Sequence, residues 1–117
     1  MTVIHSQVVA SRAYARVEAA KTGTKKLKEY KSFALKFPAL IHASGLVQAT
    51  AFAFAKGGGP GQVLDDLADV LKPTETGKDL HQRARTCNVA EYLRLTEEAL
   101  TAASWLKRYT EALLGDS

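Results

Sequence analysis

Hydrophobic positions recur at three- and four-residue steps along most of the chain, and no alternating stretch is bounded by a two-residue hairpin turn. This pattern is typical of helices and not of strands. Ala, Leu, Lys and Glu, which all favour helix, are abundant. The pattern therefore predicts an all-α protein: residues 1–117 form one domain, a single bundle of about six helices with a central apolar helix.

Glycine, proline and capping residues divide the chain into six predicted helices. Their limits are about 3–21, 25–37, 39–55, 61–72, 76–86 and 88–114. Gly23 suits a left-handed cap, and Pro38 disfavours helical geometry in the residue before it. Asn88 can cap the last helix, with Glu91 three residues later to complete a capping box. We expect this last helix to be the longest element.

Residues 38–55 contain no Lys, Arg, Asp or Glu. Four polar side chains are spread around the helix predicted there, namely His42, Ser44, Gln48 and Thr50. A helix without a polar face belongs in the interior of a bundle. We therefore predict that this segment is the central helix and the most buried one, that Phe52 and Phe54 give it bulk, and that His42 is a core residue.

The same polar side chains argue against a membrane-spanning helix, which needs about 20 mostly apolar residues. The first ten residues lack the basic, apolar and small-residue order of a signal peptide. Cys87 is the sole cysteine, which excludes an intramolecular disulfide and a multi-cysteine zinc site. These features predict a cytoplasmic protein in which Cys87 has a packing role.

The net charge of +4 is unevenly distributed. Residues 1–36 carry a formal charge of +6, and residues 37–117 carry −2. A segregated basic third favours a polyanionic partner, although a solvated helix face remains the alternative. The candidate nucleic-acid-binding residues are Arg12, Arg16, Lys21, Lys25, Lys26, Lys28, Lys31, Lys36 and Lys56. Tyr14 and Tyr30 lie among them and could stack on bases, but core packing is the preferred interpretation of Tyr30.

Residues that could perform chemistry do not form a recognisable set. The three histidines lie far apart in sequence and lack metal-binding spacing. The acidic cluster of Asp65, Asp66 and Asp69 could bind a cation, but a structural role near a helix start is preferred. The glycine-rich stretch 57–61 lacks the Gly-Lys-Ser/Thr ending of a phosphate loop. We therefore predict neither an enzyme nor a bound metal or cofactor.

The predicted fifth helix supports a different kind of function. Lys78, Gln82 and Arg85 share one face of it and follow a turn, as in a helix-turn-helix recognition element. The alternative prediction is therefore a helix-turn-helix-like DNA-binding protein, which would prefer one duplex over unrelated sequences.

Several stretches resemble the small subunit of the type III-B CRISPR effector, the Cmr complex. They are YKSFALKFPALI at 30–41, GLVQ at 45–48, FAFAK at 52–56, EYLRLTEEAL at 91–100 and WLKR at 105–108. The resemblance covers most of the chain and depends on the order of several weak motifs.

This resemblance implies a non-catalytic helical subunit of an antiviral ribonucleoprotein. Such a subunit stacks with copies of itself beside the backbone subunits and lines the groove where target RNA pairs with the guide RNA. Cleavage of the target then belongs to other subunits. We expect other Cmr subunits, CRISPR guide RNA and target RNA as partners, with contacts that do not depend on RNA sequence.

Overall fold

The computed structural model describes residues 5–23 and 26–115, and it confirms the all-α prediction. The helices are α1 (His5–Gly23), α2 (Leu27–Ser44), α3 (Leu46–Lys56), α4 (Gly58–Leu71), α5 (Gly77–Thr86) and α6 (Val89–Tyr109). A π-helical turn, Thr110–Leu114, continues α6. The described part of the chain therefore consists of six helices and contains no strand.

The centre of the bundle is α4, which packs against all five other helices. Its apolar residues Val63, Leu64, Leu67 and Val70 are almost fully buried. The prediction that residues 39–55 form the central and most buried helix is therefore wrong. The absence of charged residues from this segment does not show that it is buried, because small and weakly polar residues can be exposed to solvent at little cost in free energy.

The break between α2 and α3 lies at Gly45 and not at Pro38. Gly45 has φ 88°, and its N–H donates to the Ile41 carbonyl at 2.8 Å, which ends α2. Pro38 lies inside α2, where it removes one backbone donor. The helix continues through it because Phe37 and Ile41, one turn apart on both sides of Pro38, are buried on the same face. Burial of that face outweighs the local cost of proline.

Three residues predicted for the interior are exposed. His42 lies on the surface, and the side chains of Phe52 and Phe54 are 49% and 50% exposed. His42 lies near the end of α2, on its exposed side. Phe52 and Phe54 lie on α3, which buries only one face, including Leu46 and Ala53. Phenylalanines two residues apart point in different directions on a helix, so a helix buried on one face cannot bury both of them fully.

The predicted start of the last helix is confirmed. The Asn88 side-chain oxygen accepts a hydrogen bond from the Glu91 N–H at 2.9 Å. From this cap α6 runs for 21 residues and is the longest of the described helices. Cys87, just before the cap, is partly buried, in agreement with a packing role.

Candidate nucleic-acid interface

An open groove lies where the start of α2, the end of α3 and the start of α4 meet. Its volume is about 820 Å³. Four lysines line it, namely Lys26, Lys28, Lys36 and Lys56, together with Phe52, Gly57, Gly58 and Pro60. We call it the lysine groove. All four lysines are exposed, so their ammonium groups are available to a ligand.

Two separate stretches of the chain bring these lysines together. Lys26 precedes α2, and its carbonyl accepts from the Tyr30 N–H at 2.9 Å in the first turn. Lys28 and Lys36 lie further along α2. Lys56 ends α3, where Gly57, with φ 65°, turns the chain into α4. Lys56 is therefore distant from the others in sequence but lines the same groove.

Beside the groove, the start of α4 packs closely on the first turns of α2. A Cβ atom at Gly59 would lie 2.6 Å from the Tyr30 backbone nitrogen and 2.5 Å from the Glu29 Cβ. Such distances are too short for any side chain, so glycine alone permits this approach. The glycine-rich stretch did not match a phosphate loop in the sequence. In the structure, its Gly59 allows α4 to pack against α2.

Charge in the groove is strongly positive. Among the described residues Glu29 is the one acidic side chain that lines it, which leaves a formal charge of +3. The Glu29 Oε1 atom accepts a hydrogen bond from the Gly59 N–H at 3.2 Å at the start of α4. That carboxylate is therefore already bound to a protein N–H.

Phe52 contributes an aromatic surface to the groove. Its ring stacks on Phe33 with ring centroids 6.0 Å apart and an interplanar angle of 13°. Phe33 is buried and contacts Phe37, with centroids 4.8 Å apart. A row of three rings therefore leads from the core to the surface among the lysines.

Arg12 and Arg16 occupy a different environment. The Arg16 Nε donates to Asp66 Oδ1 at 3.2 Å, and Arg12 Nη1 donates to the Val70 carbonyl at 3.2 Å. Both guanidinium groups thus hold α1 against α4. Contact of these arginines with RNA stays a prediction, but the structure gives Arg16 a clear intramolecular role.

Two other predicted basic residues, Lys21 and Lys31, do not line the groove. Lys21 is exposed in the last turn of α1, and Lys31 is half-buried on α2. Lys25 lies outside the described residues. Of the nine residues predicted from sequence, the structure therefore brings four together, and two others bind protein groups.

Asp66 is the centre of a buried polar cluster that sequence reasoning missed. The Tyr30 hydroxyl donates to Asp66 Oδ2 at 2.6 Å, and Gln62 Nε2 donates to Oδ1 at 3.1 Å. Burial raises the pKa of Asp66, although the Tyr30 hydrogen bond and the Arg16 charge oppose the shift. Burial also raises the pKa of Tyr30, so this hydroxyl stays protonated and acts as a donor.

The other two members of the acidic cluster also bind protein groups. Asp65 accepts from the Gly77 N–H at 2.7 Å, and Asp69 accepts from the Thr74 N–H at 2.8 Å. The three carboxylates therefore stabilise the junctions of α4 with its neighbours. Within residues 5–23 and 26–115, no group of three His, Cys, Asp or Glu side chains could hold a metal ion.

The three residues of the alternative DNA-binding prediction lie on an exposed face of α5. Lys78, Gln82 and Arg85 are all exposed there. The neighbouring His81 stacks on Phe54, with ring centroids 6.3 Å apart. Recognition of a DNA duplex by this face stays a prediction.

None of the helices in the described part of the chain is both long and apolar enough to cross a membrane. The described residues thus form an all-helical fold with one strongly basic groove.

Comparison with known proteins gives the family. The sequence profile of the family described as "CRISPR-associated protein (Cas_Cmr5)" matches residues 5–113. The chain is 42% identical over 110 residues to the CRISPR system Cmr subunit Cmr5 of Thermus thermophilus, covering 93% of this chain and 95% of that protein. The crystal structure of a CRISPR-associated Cmr5 family protein, also from Thermus thermophilus, matches with a TM-score of 0.89 at 40% identity, over 95% of this chain and 98% of that one. The chain belongs to the Cmr5 family of CRISPR-associated proteins, which confirms the resemblance found in its sequence.

Proposed function

We propose that this chain is a non-catalytic small subunit of a type III-B CRISPR (Cmr) ribonucleoprotein and helps to hold its guide and target RNA. Family membership supports the assignment to the complex, and the relative from Thermus thermophilus is described as a Cmr subunit. The lysine groove supports the contact with RNA. In this proposal other subunits cleave the target, and the complex acts in the cytoplasm, where its RNAs are.

The observation that carries the RNA contact is the convergence of Lys26, Lys28, Lys36 and Lys56 on one open groove. Four ammonium groups with one protein-bound carboxylate among them create a strong local positive potential. Phosphate groups of RNA satisfy that potential and release their counterions, which makes binding favourable and salt-dependent. Phosphates are the same at every nucleotide, so these contacts do not select a sequence.

Contacts with protein partners use other surfaces in this proposal. Val89 and Leu93, at the start of α6, are 77% and 65% exposed. Exposed large apolar side chains that lie close together are typical of interaction sites. We propose that such residues contact other Cmr subunits or further copies of this chain, while the lysine groove faces the RNA.

The test uses the assembled complex, because one subunit with a few phosphate contacts binds weakly. The variant Lys28→Glu/Lys36→Glu reverses two charges in the groove. Lys107→Glu/Arg108→Glu changes the net charge equally on α6 and serves as the matched control, since both residues are exposed outside the groove. Affinity for matched and unmatched target RNA is measured at several salt concentrations.

We expect the groove variant to bind matched target more weakly and to lose about 0.7 in salt slope for each single-strand phosphate contact removed. Discrimination between matched and unmatched targets should be unchanged, because base pairing selects the sequence. Normal assembly with wild-type affinity and salt slope would show that the groove does not hold RNA. If instead α5 bound one DNA duplex in preference to unrelated sequences, the helix-turn-helix alternative would be favoured.

A further inference from the structure

Phe52 is half exposed although it belongs to a row of rings that begins in the core. Phe37 and Phe33 are buried, at 1% and 4% exposure, whereas Phe52 is 49% exposed. The near-parallel stacking of Phe52 on Phe33 restricts the orientation of its ring. A large apolar side chain left in water among lysines loses the free energy that burial would provide. Its position is explained if a ligand covers it.

The surroundings of Phe52 indicate what that ligand is. A purely apolar protein partner would have to desolvate the lysines, which is costly. A strand of nucleic acid offers both required groups, because its phosphates bind ammonium groups and its bases have flat apolar faces. Proteins that bind single strands combine a basic groove with aromatic side chains on which bases stack.

We propose that Phe52 is a stacking platform for an unpaired base of single-stranded RNA whose phosphates bind the lysine groove. This inference rests on the proposed RNA contact and adds a preference for unpaired strands. Bases inside a duplex are already stacked on their neighbours and cannot cover the ring unless they are extruded. The groove therefore favours single-stranded RNA over duplex RNA of equal length.

Phe54 offers a matched control on the same helix. It is 50% exposed, as Phe52 is, and it also stacks on one ring, that of His81. It lines a different cleft, with Thr76 and Lys78, and not the lysine groove. Removal of either ring changes the exposed apolar surface to a similar extent, but only Phe52 lies among the four lysines.

The experiment uses the full chain at low salt with a single-stranded RNA that carries 2-aminopurine, a fluorescent adenine analogue that is quenched when it stacks. The variants are Phe52→Ala, Phe52→Leu, Phe52→Trp and Phe54→Ala, with Lys28→Glu/Lys36→Glu as a test of the phosphate contacts. Phe52→Leu keeps apolar bulk against Phe33 without an aromatic face. Thermal unfolding by circular dichroism establishes that each variant is folded.

We expect binding to quench the fluorescence with the wild type, Phe52→Trp and Phe54→Ala, and the quenching to be lost with Phe52→Ala and Phe52→Leu. The affinity of these two variants should fall about 5- to 140-fold, which corresponds to about 1–3 kcal/mol for one stacked base. Unlabelled duplex RNA should compete less well than the same length of single strand.

The outcomes separate the two proposals. The stacking role would be overturned if Phe52→Leu kept wild-type quenching and affinity. If the lysine variant bound more weakly in the same experiment, the phosphate contacts would remain supported. Unchanged binding by the lysine variant would overturn the proposed RNA contact itself. If Phe52→Leu impaired incorporation into the complex while its RNA signal stayed normal, Phe52 would be a protein contact and the stacking inference would be wrong. Equal competition by duplex RNA would also contradict it.

Discussion

The Tyr30 hydroxyl donates a hydrogen bond of 2.6 Å to the Oδ2 atom of Asp66, and both residues are buried. This bond joins α2 to α4, and the ion pair of Arg16 with Asp66 at 3.2 Å adds α1 to the same junction. Tyr30 lies on the first turns of α2 with two of the groove lysines, Lys26 and Lys28, close to it in sequence. The buried cluster therefore supports the helix that carries much of the candidate interface.

Tyr30→Phe should destabilise the protein by about 1–3 kcal/mol, because a buried carboxylate loses one of its donors. The ring itself is retained, so packing changes little. Urea unfolding monitored by circular dichroism measures the free energy difference. Tyr14→Phe is the control, since Tyr14 is 40% exposed. The free energy of unfolding of this variant should stay within about 0.5 kcal/mol of the wild-type value. Equal stability of the wild type and Tyr30→Phe would show that the bond contributes nothing net.

Asp66 should make the stability of the protein fall as pH rises above its ordinary pKa of 3.8. Burial raises the pKa of this carboxyl in the folded state. Between the unfolded and the folded pKa the folded protein binds more protons, so stability is lost as pH rises through this window and the lower value persists above it. Below both pKa values the effect is absent.

Comparison with Asp66→Asn isolates this contribution from those of other carboxyl groups. The free energy of unfolding is measured for both proteins from about pH 3 to pH 8, a range chosen to span the window above the ordinary pKa. The wild type should lose stability relative to Asp66→Asn as pH rises through the window. A constant difference across the whole range would mean that Asp66 has a normal pKa in the folded protein.

Gly59→Ala should separate α4 from α2. The new Cβ would lie 2.7 Å or less from the Glu29 and Tyr30 backbone atoms, which cannot move without shifting the helix. We expect a loss of about 1–3 kcal/mol in urea unfolding, as for other overpacked sites.

Gly61→Ala is the matched control on the same helix. Its Cβ would meet only the Ala53 carbonyl oxygen, at an ordinary 3.8 Å. Alanine favours helix over glycine, so this variant should be as stable as the wild type or about 0.5–1 kcal/mol more stable. A Gly59→Ala protein as stable as Gly61→Ala would contradict the close approach of the two helices.

Local signals in the sequence predicted the helices well where the structure depends on local chemistry. Asn88 and Glu91 place the start of α6 correctly because capping involves neighbours three residues apart. Tyr30 was correctly assigned to the core, since it shares an apolar helix face with Phe33 and Phe37. In each case the sequence signal that supports the prediction lies on one helix.

Tertiary contacts decide the features that the sequence did not predict. Pro38 remains inside α2 because both of its flanks are buried against other helices, which no local rule reports. Asp66 is buried because Tyr30 and Arg16, 36 and 50 residues away in sequence, supply its donors. The lysine groove likewise requires Lys56 to reach the start of α2. Charge counting identified the basic third, which contains three of these four lysines, but could not separate them from Arg12 and Arg16.

Arg16 binds a buried carboxylate, whereas the groove lysines are exposed. We therefore expect substitutions at Arg16 to affect stability and substitutions at the groove lysines to affect RNA binding. Arg16→Ala removes a donor from buried Asp66, so it should lower the free energy of unfolding by about 1–2 kcal/mol, a value reduced by the partial exposure of Arg16. Once assembled, the complex with this variant should keep its salt slope for target RNA. Lys28→Glu/Lys36→Glu changes exposed side chains and should alter stability by no more than about 0.5 kcal/mol, while the salt slope decreases. Urea unfolding of the isolated chain and RNA affinity of the assembled complex at several salt concentrations measure the two effects independently. A reduced salt slope with Arg16→Ala in a stably assembled complex would place α1 at the RNA and extend the interface beyond the groove.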